Sequence, residues 1–320
     1  MAGLRGNQAH WAWAKQSARG TPGTAGPHKT PFSGGSIAPS RTIAQLSETD
    51  ASRDEGVSYV EVNGLEGSPE MYVRDTNLHS LMDITLGSTI TAGAGPFTHT
   101  STPADALPYV SFWRGIGATL YERFDDCMVS ELTLSADSGG PLTAGISLMG
   151  RTATRLTVDP HSAIPIASAG VYNFNEATVT AHGGATALIS NFELTISNNV
   201  TSQQTDDITP YDVVAGQRSV TVGYDMIFET LAAYNEFHYG SAAGTAQGTA
   251  ITTTSLVFNF IKGAGALNFA IPNAAVEEFP VDPDPGGDPI VASVRTRAQR
   301  VTGTPIITSI VTNAKATVAL

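Results

Sequence analysis

One strand pattern occurs twice in this chain and limits what it can fold into. Glu131-Leu132-Thr133-Leu134-Ser135 reappears 62 residues later as Glu193-Leu194-Thr195-Ile196-Ser197. Each copy runs through a glycine-containing link into a second alternating stretch, so Val129 to Met149 and Ile189 to Phe228 read as two long antiparallel hairpins. Side chains alternate along a strand. In the second copy Val220, Val222, Tyr224, Met226 and Phe228 therefore share one face, and Ser219, Thr221, Asp225 and Glu229 share the other. Two copies are too few for a solenoid, which needs about three. The pattern predicts one sandwich or half-barrel with two related hairpins.

Composition agrees with a β-rich chain. Thr, Val, Ala and Gly are abundant, charged residues make up 14%, and 320 residues are ample for one main domain with extensions. So little charge argues against disorder as the global state. A net charge of −12 argues against a protein that grips nucleic-acid phosphates, which takes clustered Lys and Arg. The single cysteine, Cys127, excludes an internal disulfide framework and reads as a buried structural thiol. The first thirty residues hold no apolar run of secretory type, and no stretch approaches the ~20 apolar residues of a membrane-spanning helix.

Residues 1–45 differ from the rest. Gly20 to Ser40 is dense in Gly, Pro, Ser and Thr and reads as an extended arm, whose Trp11 and Trp13 need burial that a neighbouring subunit can supply. Gly56 to Asp75 is expected to be a hairpin, with Asn63-Gly64 and Gly67-Ser68-Pro69 supplying the turn chemistry and Met71-Tyr72-Val73 the return strand. Asn77 to Leu86 suits a short helix closed by Gly87, and Gly87 to Leu107 reads as a long loop. Tyr109 to Trp113 and Ala118 to Phe124 are expected strands, followed by shorter ones at Leu156 to Val158 and Ala177 to Ala181. Glu229 to Tyr239 suits a second helix stopped by Gly240. Ser255 to Ile261 with Ala266 to Ile271 make a further hairpin, Glu277 to Pro289 an acidic loop, and Val291 to Ala298 and Ile306 to Thr312 the last strands. The sum is an all-β chain with minor α content.

Catalytic lookalikes fail on their partners. Asp137-Ser138-Gly139-Gly140-Pro141 is similar to the nucleophile segment of trypsin-like proteases, but His79 and His99 lack the expected context and His182 follows the serine. The segment reads as the turn of the first hairpin. Asp282, Asp284 and Asp288 are separated by prolines, unlike a calcium loop, and Lys262-Gly263-Ala264-Gly265 joins two strands rather than opening a phosphate-binding helix. No catalytic residue, cofactor or metal ligand is assigned.

The chain resembles the tail tube proteins of long-tailed bacteriophages. The resemblance rests on Trp11 to Thr21, on Glu48 to Arg53 leading into Gly67-Ser68-Pro69 and Tyr72-Val73-Arg74, and on Leu107-Pro108 before a strand. It continues through Ile196 to Asn199, Pro210-Tyr211-Asp212, Ala215 to Arg218 and Tyr234 to Phe237. It implies a β-sandwich or half-barrel flanked by a short helix, completing a β-barrel as copies form six-membered rings. Stacked rings would make a hollow conduit for double-stranded DNA, with tape-measure and other tail proteins as partners. That places the protein in the virion tail, assembled in the host bacterial cytoplasm, without membrane insertion. The expected division is an arm over 1–45 and a tube domain over 46–320, with the loop 87–107 and outer elaborations at 150–187 and 260–320. Glu131, Glu193, Asp225 and Glu229 are the expected lumen-facing acids, and Trp11 and Trp13 the expected inter-subunit contacts. The other reading is a different β-rich virion component, such as a capsid decoration protein.

Overall fold

In a computed structural model of the chain the described residues are 6–24, 26, 28–47, 56–166, 170–182, 185–186, 188–229, 231–281 and 289–318. The first part comprises β1 (Ala9–Lys15), β2 (Thr30–Pro31), β3 (Ile37–Gln45), β4 (Ser58–Gly67), β5 (Glu70–Tyr72), helix α1 (Leu78–Leu86), β6 (Gly87–Ala92), β7 (Phe97–Pro103) and β8 (Val110–Ile116). The middle holds β9 (Leu120–Asp137), β10 (Thr143–Gly150), β11 (Thr152–Leu156), β12 (Ala177–Ala181), β13 (Ala185–Thr186), β14 (Ile189–Ser197), β15 (Thr201–Gln203), β16 (Asp212–Val214) and β17 (Ser219–Ile227). Helix α2 (Leu231–Tyr239) precedes β18 (Thr253–Lys262), β19 (Gly265–Glu278), β20 (Val291–Ala298) and β21 (Thr308–Asn313).

The long strand β9 is the spine. Its first half pairs with β8 and β11, and its second half with β10 and β14. The change of neighbours falls at Asp126, whose φ of 54° lies in the left-handed region that Asp enters more readily than most residues. Its buried carboxylate accepts hydrogen bonds from the Gly20 amide and from Arg151 Nη1, both at 2.7 Å. Those contacts hold the bend. Cys127 beside it is fully buried, and burial pushes its thiol pKa up.

Both sequence repeats lie side by side in one sheet, ordered β10-β9-β14-β17-β20. Strand β19 then links layers: its second half pairs with β20, its first half with β21, and β18 runs along its other side. Strands β12, β7 and β6 extend this second layer. Apolar faces meet between the layers, as in a sandwich. Leu132, Leu134, Leu194, Ile196, Val220 and Val222 come from one side and Phe258, Phe260, Leu267 and Phe269 from the other, with Phe192 stacked 4.9 Å from Phe258. Helix α1 is buried at every residue, more than the single apolar stripe its sequence suggests, and is closed by Gly87 at φ 96°.

Several expectations are corrected. Trp11 and Trp13 do not sit on an arm that reaches outward: β1 pairs with β8 along its whole length, and both indoles are fully buried in the chain's own core. Trp13 Nε1 donates to Ser80 Oγ at 2.6 Å, and Trp11 lies 5.1 Å from the Phe32 ring. Gly20 and Gly23 lie in the connection that follows β1, while Pro31 and Pro39 stand within β2 and β3. Residues 87–107 are not a loop but mostly the β6–β7 hairpin, whose Thr-rich alternation carries strand propensity without apolar residues to announce it. Asn63-Gly64 makes no turn. Strand β4 runs straight through it and pairs with β3, while β4 and β5 both lie along β10. Residues 260–320 are no outer elaboration, because β19 to β21 form a wall of the core; in 150–187, β11 and β12 join the main sheets. The expected strand at Ala118 to Phe124 is the first half of β9, and Asp282, Asp284 and Asp288 lie outside the described residues.

Two predictions follow from this packing. Replacing Arg151 by Met strands the buried Asp126 carboxylate, and should lower unfolding stability by about 3 kcal/mol in chemical denaturation. In the core the ring of His79 meets His28 edge-on at 5.0 Å and stacks on His99 at 4.5 Å. Burial, with neighbouring cationic groups, lowers His28 to about 4 and His79 to about 3 from the usual 6.5. The folded state keeps these two rings neutral, whereas the unfolded chain binds protons near 6.5. Their contribution to stability is complete above that pH and is lost as pH falls toward 4 and then 3. The thermal midpoint should therefore drop steadily between pH 6.5 and 4, and His79→Gln should flatten that slope.

Candidate functional face

The side of the central sheet that faces away from the core is polar across its width. The two repeats are antiparallel neighbours, with Thr133 opposite Thr195, so Glu131 stands opposite Ser197 and Glu193 opposite Ser135. The repeat thus meets itself about a local twofold, its Thr133 and Thr195 hydroxyls 3.4 Å apart. Read across the strands, one row is Glu70, Gly145, Thr133, Thr195, Thr221 and Arg297. The next is Tyr72, Thr143, Ser135, Glu193, Gly223 and Arg295. Small hydroxyl residues and glycines dominate its middle.

Three of the four expected acids lie on this face. Glu131 and Glu193 are exposed. Asp225 is held between two donors, Asn191 Nδ2 and Ser293 Oγ, each 2.6 Å away. The fourth, Glu229, shares their parity in sequence, but β17 ends at Ile227 and Glu229 belongs to the link into α2. Strand alternation cannot be extended past the last ladder bond. Asp137 and Asn191 also belong to the face, paired across β9 and β14. With Glu193, Asp225, Glu278 and Arg295 they line a concavity of roughly 670 Å³. Arg295 and Arg297 were missed because β20 was read only as a late strand; its alternation, Val291, Ser293, Arg295, Arg297 against Ala292, Val294, Thr296, carried the signal.

The two ends of this sheet differ. At one end β3 and β4 continue past Gly150, the last residue of β10, as a two-stranded hairpin with Ile43 61% and Val57 75% exposed, joined by Leu46 and Tyr59. Its base is fixed by the Asn63 amide bonded to the Ile208 carbonyl at 2.7 Å. A bare two-stranded ribbon is marginal in water, so these apolar residues need a surface to cover them. At the opposite end, exposed Leu188 and Ile227 line a shallow groove of roughly 400 Å³ together with Phe174, Val179 and Ile189, and exposed Val291 pairs with Ile227.

Both repeated hairpins already have neighbours on each side within the chain, so their strands do not wait for a second subunit to pair them. Ser138 sits in the β9–β10 turn, where the Gly140 amide bonds the Asp137 carbonyl at 2.8 Å and Gly139 has φ 76°. Among the described residues no group of three or more His, Cys, Asp and Glu could hold a metal ion, and no helix is long and apolar enough to cross a membrane.

The described residues thus form a β-sandwich with one broad hydroxyl-and-acid face and apolar surfaces at both ends of that face, the architecture of a structural protein. The family model for the phage tail tube protein matches residues 6–304, and the chain belongs to that family. It is a non-enzymatic component of the virion tail. A search of curated proteins finds no match.

Proposed function

We propose that copies of this chain close into six-membered rings with the polar face of β10-β9-β14-β17-β20 turned inward, and that the rings stack into the conduit through which double-stranded DNA leaves the particle. The observation that carries the reading is the face itself: a broad, smooth sheet surface of hydroxyls, glycines and acids on a chain of net charge −12. Acids repeated around a ring repel phosphates within about 8 Å, the Debye length at physiological salt. Neutral hydroxyls beside them offer no charge to hold the backbone. DNA then slides rather than binds. The same bore would enclose the tape-measure protein during assembly in the bacterial cytoplasm. The capsid-decoration alternative has no comparable support beside the family match.

Stacking follows from the unlike ends of the sheet. The β3–β4 ribbon projects about 15 Å beyond Asn63, and its apolar side chains suit the groove of Leu188, Ile227 and Ile189 on a copy in the next ring. Such a contact joins different surfaces, so it propagates along an axis into a filament. Because the long hairpins are paired within the chain, side-chain packing around the ring, rather than borrowed strands, would hold neighbours together.

Two outcomes are expected. Glu193→Lys should assemble almost normally but slow DNA passage, read as delayed ejection and reduced infectivity; unchanged ejection would remove Glu193 from the channel wall. The double change Ile43→Asp and Val57→Asp should leave the fold intact by circular dichroism while abolishing long tubes in negative-stain images. Tubes of normal length would show that this ribbon does not join rings.

A further inference from the structure

The polar face carries two arginines at the margin farthest from Glu70. Arg295 and Arg297 alternate on the exposed side of β20, with side chains 56% and 54% exposed. Two guanidinium forks per copy, repeated around a ring, would make a belt of phosphate-binding groups inside an otherwise unsticky wall, because a guanidinium matches a phosphate with two parallel hydrogen bonds.

One carboxylate meets both. Glu277 Oε1 lies 2.8 Å from Arg297 Nε, and Glu277 Oε2 lies 3.9 Å from Arg295 Nε. It stands at a backbone irregularity. Val276 pairs with Thr296 and Glu278 with Arg295, leaving Glu277 as the extra residue of a β-bulge in β19. A bulge re-aims the side chain it inserts. Glu278, which lines the same concavity as Arg295, adds a second negative charge nearby.

We propose that Glu277 is the residue that keeps the arginine margin from gripping DNA, by holding both guanidinium groups in one ion-paired cluster. This inference rests on the channel-wall reading above. Exposed ion pairs contribute little to stability, so the cluster matters for the wall's charge rather than for the fold, and Glu277→Gln should still fold and assemble.

The test uses assembled tubes and a short fluorescent duplex, with retention after sedimentation measured against salt. Glu277→Gln tubes should retain several-fold more duplex than the parent at low salt. The slope of log retention against log salt should steepen by about two, one for each guanidinium released. The triple variant Glu277→Gln, Arg295→Gln, Arg297→Gln should return to the parent level. In parallel, tubes carrying Glu193→Cys are treated with a small maleimide and with one coupled to a polymer too large for the bore; Cys127 is buried and does not compete. If position 193 reacts only with the small reagent yet Glu277→Gln retains no more duplex than the parent, the role of Glu277 is overturned while the wall stands. If both reagents label position 193 equally, the wall reading fails and the inference falls with it.

Discussion

The architecture depends on one bend and the ion pair that makes it tolerable. At Asp126 the spine strand leaves the β1-β8-β11 sheet and enters the polar-faced sheet, and it does so through a backbone conformation that costs of order 1 kcal/mol or more for a residue with a Cβ. A buried carboxylate would add a larger penalty if left alone. Arg151 and the Gly20 amide remove that penalty, and Arg151 also donates to the Pro210 carbonyl at 2.8 Å. Three distant segments are thereby tied to the bend. The tryptophans of β1 can pack where they do because β8 is held against the first half of β9.

Past the bend, geometry converts a modest sequence repeat into a functional surface. The repeated pentapeptides are neighbours across a ladder, so their Leu and Ile side chains all enter the core and their Glu, Thr and Ser all leave it. Because the copies are antiparallel, the glutamates are set at opposite ends of the pair rather than stacked. Acid is spread along the face instead of concentrated, which suits a wall that repels a passing polyanion over its whole length. The same directionality separates the apolar β3–β4 ribbon from the apolar groove, one at each end of the polar face.

How much was legible before the structure depended on what each segment showed of its surroundings. The β9, β14 and β17 alternation was legible because one face is buried and the other is not, and α1 because its apolar residues and Gly87 are local signals. Strand β1 was not, because a strand buried on both sides loses alternation and six of its seven residues are buried. Hairpin β6–β7 was hidden by threonine, which is equally at home in loops and strands. Asn63-Gly64 carried a turn signal that pairing with β3 overruled. Glu229 was assigned by parity that the end of β17 cut short.

Sequence alone determined the fold class, the family and the sign of the surface. Each is a sum over local choices: alternation, turn residues, the excess of acids over bases. Tertiary structure decided which acids share a face, where Trp11 and Trp13 are buried, and which arginines one glutamate can reach. Those outcomes depend on register, and register is set by contacts between residues far apart in the chain, such as the pairing of β19 with β20 that brings Glu277 to Arg295 and Arg297.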